Sequence, residues 1–272
     1  MAVVKGVTSV ALAACFAAIS LQLSMPPLSQ GWLVFIAFIP LLVYLQSARS
    51  AFMWALAGFC VGLGWSAVAP VALLGWGTTL PAITLLVRAG ALATIFFLTF
   101  FVNFALPVRW RWLALPACWN IVWFVSEPVG LPVVSLSAAF AIWQPALLGI
   151  GRLIGVAGVD FLLLTINALV AQALSERRLT ANTLASIIFI LAILLLGIFI
   201  PAPATTGIAR ISAIQPALEP GKLHTQKWSL AQRLANESYI DSLLDQATRE
   251  KNTLVILPEG GNELFNKRLP KR

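Results

Sequence analysis

The sequence has little charge and few of the residues that build soluble active sites. Charged residues are 10% of its 272 residues, whereas a soluble domain ordinarily carries about 25%. It has a single histidine, His224, and three cysteines whose positions show no metal-ligand spacing. Hydrophobic residues make up 60% of the chain, which is more than a water-facing surface absorbs. The composition therefore predicts a membrane protein without a metal site or other cofactor.

The basic residues do not indicate nucleic-acid binding, although the formal net charge is +8. Those in the first 200 residues lie in short gaps between apolar runs, which is a signal of membrane topology rather than a binding patch. Cys15, Cys60 and Cys118 all lie inside apolar runs, and we interpret them as small hydrophobic side chains. We therefore expect a membrane context and no nucleic-acid partner.

The apolar runs predict a mainly α, polytopic transmembrane domain over residues 1–200. A span needs about 20 apolar residues, and proline and glycine separate the runs. The second and fifth runs are short for a full crossing. The seven predicted spans are Val7–Leu23, Trp32–Leu45, Ala51–Leu74, Ile83–Leu106, Leu113–Ser126, Ala146–Leu174 and Leu184–Ile200.

The distribution of Lys and Arg predicts the orientation of these spans, because short cytoplasmic loops carry an excess of both. If the N-terminus is cytoplasmic, only Arg88 and Arg152 fall on the outer side. The inner side then holds Lys5, Arg49, Arg109, Arg111, Arg177 and Arg178. Seven spans place everything after about Pro201 outside, on the periplasmic side of a bacterial inner membrane.

The composition changes at Pro201, and residues 201–272 read as a soluble α/β segment. These residues hold 10 of the 18 basic and 7 of the 10 acidic side chains. Ile208–Gln215 and Thr253–Leu257 have the apolar character of strands, and Ser229–Lys251 has the periodicity of a helix. The order strand, helix, buried strand is typical of the start of an α/β sandwich.

Glu259 is the strongest candidate for a catalytic residue. It follows the second strand and precedes two glycines, and α/β enzymes display catalytic groups at the carboxyl ends of strands. A partly desolvated glutamate there can act as a general base, and a solvated loop carboxylate is the alternative. Trp228 lies in a polar loop before the helix, where it either covers a site or plugs the helix end.

Two acidic residues stand within the predicted membrane region, where ionisable groups are costly and often functional. Glu127 lies near the outer end of a span, and we expect water to reach it. Asp160 lies in a glycine-rich run, and for it we favour a structural role, with Arg152 as a candidate partner two turns away.

Several short stretches, taken in order, resemble the apolipoprotein N-acyltransferase family. None is specific alone, but their order and spacing cover nearly the whole chain. The membrane part contributes Pro26-Pro27, Gly31-Trp32-Leu33, Ile39-Pro40-Leu41-Leu42, Ala57-Gly58-Phe59, Gly62-Leu63-Gly64, Pro116-Ala117, Trp123, Glu127, Gln144-Pro145, Gly155 to Val159, Phe161 to Leu163 and Asn167 to Leu169. The soluble part contributes Ile214-Gln215, Gln226-Lys227-Trp228 and Leu257-Pro258-Glu259.

This resemblance implies a bacterial inner-membrane enzyme whose periplasmic domain has a nitrilase-like fold. Glu259 would match the general base of a Glu-Lys-Cys triad, and Trp228 would match a tryptophan needed for activity, which we assign to substrate binding. The reaction implied moves an acyl chain from a phospholipid to the cysteine, and then to the amino group of a diacylglyceryl-cysteine on a lipoprotein. No cofactor is implied.

The sequence departs from the family after Glu259. The only later lysines are Lys267 and Lys271, too close to be the triad lysine, and no cysteine follows Cys118. We therefore expect a chain truncated before the catalytic Lys and Cys, with an incomplete nitrilase-like segment and no activity alone. The alternatives are a half-enzyme that needs a second chain, a related enzyme with another acyl acceptor, and a non-catalytic membrane protein.

Overall fold

Helices dominate the part of the chain that the computed structural model describes. The described residues are 2–25, 28–66, 79–126, 135–144, 149–200, 211–213, 238–239, 241–246, 249 and 254–256. Two compact units are present, and the second contains the residues from Pro203 onward. The boundary that the composition predicts at residue 200 stays a prediction.

The first unit is a bundle of helices that are apolar around most of their circumference. Its α-helices within the described ranges are α1 (Ala2–Ser24), α2 (Ile39–Ser47), α3 (Ala51–Ser66), α4 (Thr79–Ala105), α5 (Ala114–Ser126), α6 (Leu136–Trp143), α7 (Gly151–Glu176) and α8 (Ala181–Leu196). Short 3-10 segments, Gly31–Phe35, Val108–Leu113 and Gly197–Phe199, adjoin α2, α5 and α8.

Three of these helices are long and apolar enough to cross a membrane: Ala82–Ala105, Gly151–Glu176 and Ala181–Phe199. The last of them has one exposed face and one buried face. Phe189 and Phe199 are 66% and 77% exposed, whereas Ile190 and Leu194 are buried against the bundle. Exposed aromatic and aliphatic side chains on this scale suit contact with lipid and not with water.

The second predicted span is not one continuous helix. A 3-10 turn, Gly31–Phe35, stops before α2 begins at Ile39. Pro40 lies in the first turn of α2, where the missing amide does no harm because it has no partner within the helix. Helix α6 lies between the fifth and sixth predicted spans and was not predicted from the sequence.

Helix α7 lies at the centre of the bundle, in contact with α2, α5, α6 and α8. Gly155 interrupts it with φ +71° and ψ 175°, a backbone conformation that glycine adopts without a steric penalty. The rest of α7, from Val159 to Ala171, supplies much of the buried core. Beside it, the rings of Phe38 and Trp119 approach edge-on at 6.0 Å.

Helices α3 and α4 pack with their backbones in contact, because α3 carries glycine where the two helices meet. A Cβ atom added at Gly58 would collide with the carbonyl oxygen of Leu92. One added at Gly62 would lie 2.6 Å from the Cα of Ala89. The spacing of four residues places both glycines on one face, the arrangement that allows close packing of membrane helices.

The second unit contains two short strands, β1 (Ile211–Ala213) and β2 (Leu254–Ile256). They pair in parallel, with Ile211 opposite Leu254 and Ala213 opposite Ile256. Both lie inside the stretches predicted as strands. The helical residues described between them are 238–239, 241–246 and 249, all within the predicted helix Ser229–Lys251.

Replacing Gly62 by alanine should destabilise the bundle by about 1–3 kcal/mol, the usual cost of overpacking. Gly90→Ala is the matched control, because nothing lies within 4 Å of a Cβ added at Gly90, and alanine gains about 1 kcal/mol over glycine in a helix. The check is the thermal unfolding midpoint of each purified variant in detergent. Equal midpoints for the two variants would show that α3 and α4 do not meet at Gly62.

Candidate functional site

The residues predicted to carry chemistry divide into those that the structure describes and those that it does not. Glu259, Trp228 and Glu127 lie outside the described residues, so their roles stay predictions. Asp160 is described, and it is the one buried acidic side chain of the described bundle, with an exposed fraction of 1%.

The carboxylate of Asp160 accepts hydrogen bonds from two helices and a connecting residue. The indole Nε1 of Trp119 on α5 donates to Oδ2 at 3.3 Å. The backbone amides of Leu136 and Ser137 donate to Oδ2 and Oδ1 at 3.2 and 2.6 Å. The hydroxyl of Ser135 donates to Oδ1 at 3.0 Å. Each of the four partners presents an N–H or O–H group to the two carboxyl oxygens.

This geometry makes Asp160 the cap of helix α6. The amides of Leu136 and Ser137 belong to the first turn, where no carbonyl of the same helix is available. Ser135 is the N-cap residue by position, but its side chain caps neither amide. Instead, the carboxylate of Asp160, supplied by α7, accepts both amides and lies at the positive end of the α6 dipole.

The pairing of Asp160 with Arg152 that we considered from the sequence is not what holds this carboxylate. None of its hydrogen bonds comes from Arg152, whose guanidinium donates to the carbonyl oxygen of Ile200 at 3.4 Å. Two helical turns along α7 place the arginine near the end of α8. The partners of Asp160 come from other parts of the sequence, which a search along the same helix cannot find.

Asn167, two turns after Asp160 on α7, bonds to the backbone at the break in the second apolar run. Its Oδ1 accepts from the backbone amide of Phe38 at 3.0 Å. Its Nδ2 donates to the carbonyl oxygen of Val34 at 2.8 Å and to that of Leu163 at 2.9 Å. The side chain is fully buried. Sequence analysis assigned it no role, although a lone amide within a long apolar run is a signal that it bonds to backbone.

A third polar side chain donates hydrogen bonds to the backbone at the end of α3. The Nε2 of Gln22, on α1, donates to the carbonyl oxygens of Gly64 and Trp65. These carbonyls belong to the last turn of α3, where the helix has no further amide that could donate to them. Gln22, Asp160 and Asn167 therefore all bond to backbone at helix ends or breaks.

These three side chains bond to backbone groups and so stabilise the fold of the bundle. Among the described residues, no group of three or more His, Cys, Asp or Glu side chains could hold a metal ion. Cys118 is buried, and Cys15 and Cys60 are exposed. The side-chain and backbone donors to Asp160 come from Trp119, Ser135, Leu136 and Ser137. The candidate catalytic residue Glu259 belongs to the second unit.

The comparison with known families identifies the family to which the membrane unit belongs. The family model for the apolipoprotein N-acyltransferase N-terminal domain matches residues 17–169, which is more than half of the chain. The chain belongs to this family. It is a membrane protein, as its three long apolar helices also indicate. A search of curated proteins found no match. In this apolipoprotein N-acyltransferase-like protein, the matched region ends at Leu169 and so includes both Asp160 and Asn167.

Replacing Asp160 by asparagine should lower the free energy of unfolding by about 3 kcal/mol. One carboxyl oxygen becomes an NH₂ group, which cannot accept the hydrogen bonds that this oxygen accepted, so buried N–H groups are left unpaired. Thr165→Val is the control, since the Thr165 hydroxyl is buried on the same helix without a partner among the described residues. Chemical denaturation in detergent, followed by tryptophan fluorescence, measures both. A loss below about 1 kcal/mol in D160N would contradict the capping role, as would an equal loss in T165V.

Replacing Asn167 by leucine should cost about 2–4 kcal/mol, since the Phe38 amide and the Val34 carbonyl would both be left buried without a partner. Thr165→Val provides a control on the same helix, because the Thr165 hydroxyl is buried without a partner among the described residues. We expect T165V to unfold at or above the wild-type midpoint. A stable N167L variant would show that the break between Phe35 and Ile39 needs no outside partner.

Proposed function

We propose that this chain supplies the membrane domain and the first catalytic residue of an apolipoprotein N-acyltransferase. The reaction moves an acyl chain from a phospholipid to the free amino group of an N-terminal diacylglyceryl-cysteine on a lipoprotein. The observation that carries the proposal is the family match over residues 17–169. A membrane domain of this kind suits the reaction because the acyl donor and the acceptor are both anchored in lipid.

Glu259 is proposed as the general base. Support comes from the parallel pair β1 and β2, since Glu259 follows Ile256 by three residues and parallel α/β folds place catalytic groups after the carboxyl ends of strands. In the first step, Glu259 takes the thiol proton of a cysteine. The thiolate attacks the acyl ester carbonyl and a lysine stabilises the oxyanion. The thioester forms as the ester C–O bond breaks, and the protonated Glu259 gives its proton to the lysophospholipid oxygen that leaves.

In the second step, the lipoprotein amine attacks the thioester carbonyl, Glu259 takes the amine proton, and the thiolate is released and reprotonated. The amide formed balances the thioester broken. Neither the lysine nor the cysteine of this scheme is found after Glu259 in these 272 residues, apart from the nearby Lys267 and Lys271. The proposal therefore requires that both come from polypeptide outside this sequence, on the same or a second chain, and Trp228 is proposed to contact substrate.

The topology proposed is seven spans in the bacterial inner membrane, with a cytoplasmic N-terminus and a periplasmic second unit. Support comes from three described helices, Ala82–Ala105, Gly151–Glu176 and Ala181–Phe199, which are long and apolar enough to cross a membrane; the other four spans are proposed from the sequence. The loops around Arg49, Arg109, Arg111, Arg177 and Arg178 then face the cytoplasm. The contacts of Asp160 favour this reading over a transporter, since its carboxyl group is engaged by donors of α5 and α6.

Cysteine labelling tests the topology. In a variant with Cys15, Cys60 and Cys118 replaced by alanine, a membrane-impermeant maleimide applied to spheroplasts should label Thr205→Cys. It should label Arg178→Cys only after the membrane is opened, because α8 lies between the two positions. Labelling of both positions in intact spheroplasts would contradict the proposed orientation, and labelling of neither would place both inside.

An acyl-transfer assay tests the chemistry. The chain alone, mixed with a fluorescent phospholipid, should form no hydroxylamine-sensitive thioester. Co-expressed with a polypeptide that supplies the rest of the nitrilase-like fold, it should acylate a diacylglyceryl lipopeptide. Glu259→Gln should lower that rate by about 10²–10⁴-fold, the usual contribution of a general base.

Glu263→Gln is the matched control, since it removes an equal charge four residues further on. We expect the E263Q rate to stay within about threefold of the wild-type rate. A thioester formed on the chain alone would overturn the proposed division of the triad. Equal rates for E259Q and E263Q would exclude Glu259 as the base, and no acyl transfer in any combination would favour a non-catalytic membrane protein.

A further inference from the structure

A cavity of about 500 Å³, lined by both polar and apolar side chains, opens where α2 and α7 end and the 3-10 segment Val108–Leu113 begins. Its volume is within the range of small-molecule sites, about 300–1,000 Å³. The side chains that give it character are Arg111, Arg177, Gln172 and Glu176. None of these belongs to the proposed acyl-transfer chemistry, so the cavity needs its own explanation.

The two arginines of the cavity have no carboxylate partner in the part of the chain that the structure describes. Across the described residues neither Arg111 nor Arg177 forms an ion pair, and the Nε of Arg111 is buried without an acceptor. The guanidinium of Arg111 lies 5.8 Å from the ring centre of Phe104, a contact that positions it and leaves its hydrogen-bond donors free. A guanidinium held in this way presents paired donors to a phosphate or a carboxylate.

Of the acceptor side chains Gln172 and Glu176, which line the cavity, only Glu176 accepts a hydrogen bond among the described residues. Gln172 donates through Nε2 to the carbonyl oxygen of Val108 at 2.9 Å and to Oε1 of Glu176 at 2.7 Å. This leaves Oε1 of Gln172 buried without a donor. The carboxylate of Glu176 therefore faces an amide of the same helix, and an occupant with a hydroxyl group beside its anion would satisfy Gln172 as well.

The surroundings of the cavity are those of a membrane surface. Leu174 and Val108, which line it, are exposed. Trp110 and Trp112 alternate with Arg109 and Arg111 along the 3-10 segment, and aromatic and basic residues together mark the headgroup level of a bilayer. Basic pockets between the ends of membrane helices bind anionic lipid headgroups.

We infer that this cavity binds the headgroup of an anionic phospholipid of the phosphatidylglycerol class. Arg111 and Arg177 hold the phosphodiester, a headgroup hydroxyl donates to Oε1 of Gln172, and the acyl chains lie along Val108 and Leu174. In the topology proposed above the lipid belongs to the cytoplasmic leaflet, on the side away from acyl transfer. The bound lipid joins α2, α7 and the segment before α5.

Native mass spectrometry of the full chain in detergent tests this inference with phosphatidylglycerol and phosphatidylcholine as probes. We expect phosphatidylglycerol to bind at least about tenfold tighter than phosphatidylcholine, and R111Q/R177Q to lose about tenfold of that affinity. The matched control is R49Q/R178Q, which removes the same charge from arginines that do not line the cavity. It should lose less than about threefold.

Three outcomes overturn the inference: equal binding of the two lipids, equal losses in the two double variants, and displacement of phosphatidylglycerol by inorganic phosphate at the same concentration. The last outcome would identify a site for free phosphate. If R111Q/R177Q does not fold, the phosphatidylglycerol affinity of R111K/R177K is measured instead, because lysine keeps the charge but loses the paired donors. Reduced phosphatidylglycerol binding by this variant supports the site, and unchanged binding overturns it.

Discussion

The architecture of this membrane unit depends on one constraint: no backbone amide or carbonyl can be left unpaired where water is absent. A continuous helix meets it alone, but this bundle contains a broken helix and a short one. Asn167 supplies the missing partners at the break before α2, and Asp160 supplies them at the start of α6. Both side chains come from α7, so one helix completes the hydrogen bonding of two others.

The same constraint explains which features the sequence predicted. Hydropathy and proline placed α1, α3, α4, α5, α7 and α8 near their observed positions, because a run of apolar residues has few structures available to it in lipid. The break within 31–47 and the helix α6 were not predicted. Their stability comes from side chains more than 20 residues away in sequence, and no local pattern contains that information.

The candidate site shows a similar division. Family resemblance identified the family, and the match over 17–169 confirmed it. The residues that it named for chemistry, Glu259 and Trp228, lie outside the described residues, and their roles remain proposals. Asp160 was rightly singled out as an unusual group, but its partners could be found only in three dimensions, since Trp119 is 41 residues away.

The repair of the broken helix has a consequence for the order in which the protein is made. Asn167 is synthesised 129 residues after Phe38, and at about 5–20 residues per second this delay is on the order of ten seconds. Throughout that time the Phe38 amide and the Val34 carbonyl have no native partner. We therefore expect the Gly31–Ser47 segment to reach its final position only after α7 has been inserted, and to remain in the insertion machinery or at the water-exposed surface of the membrane before then.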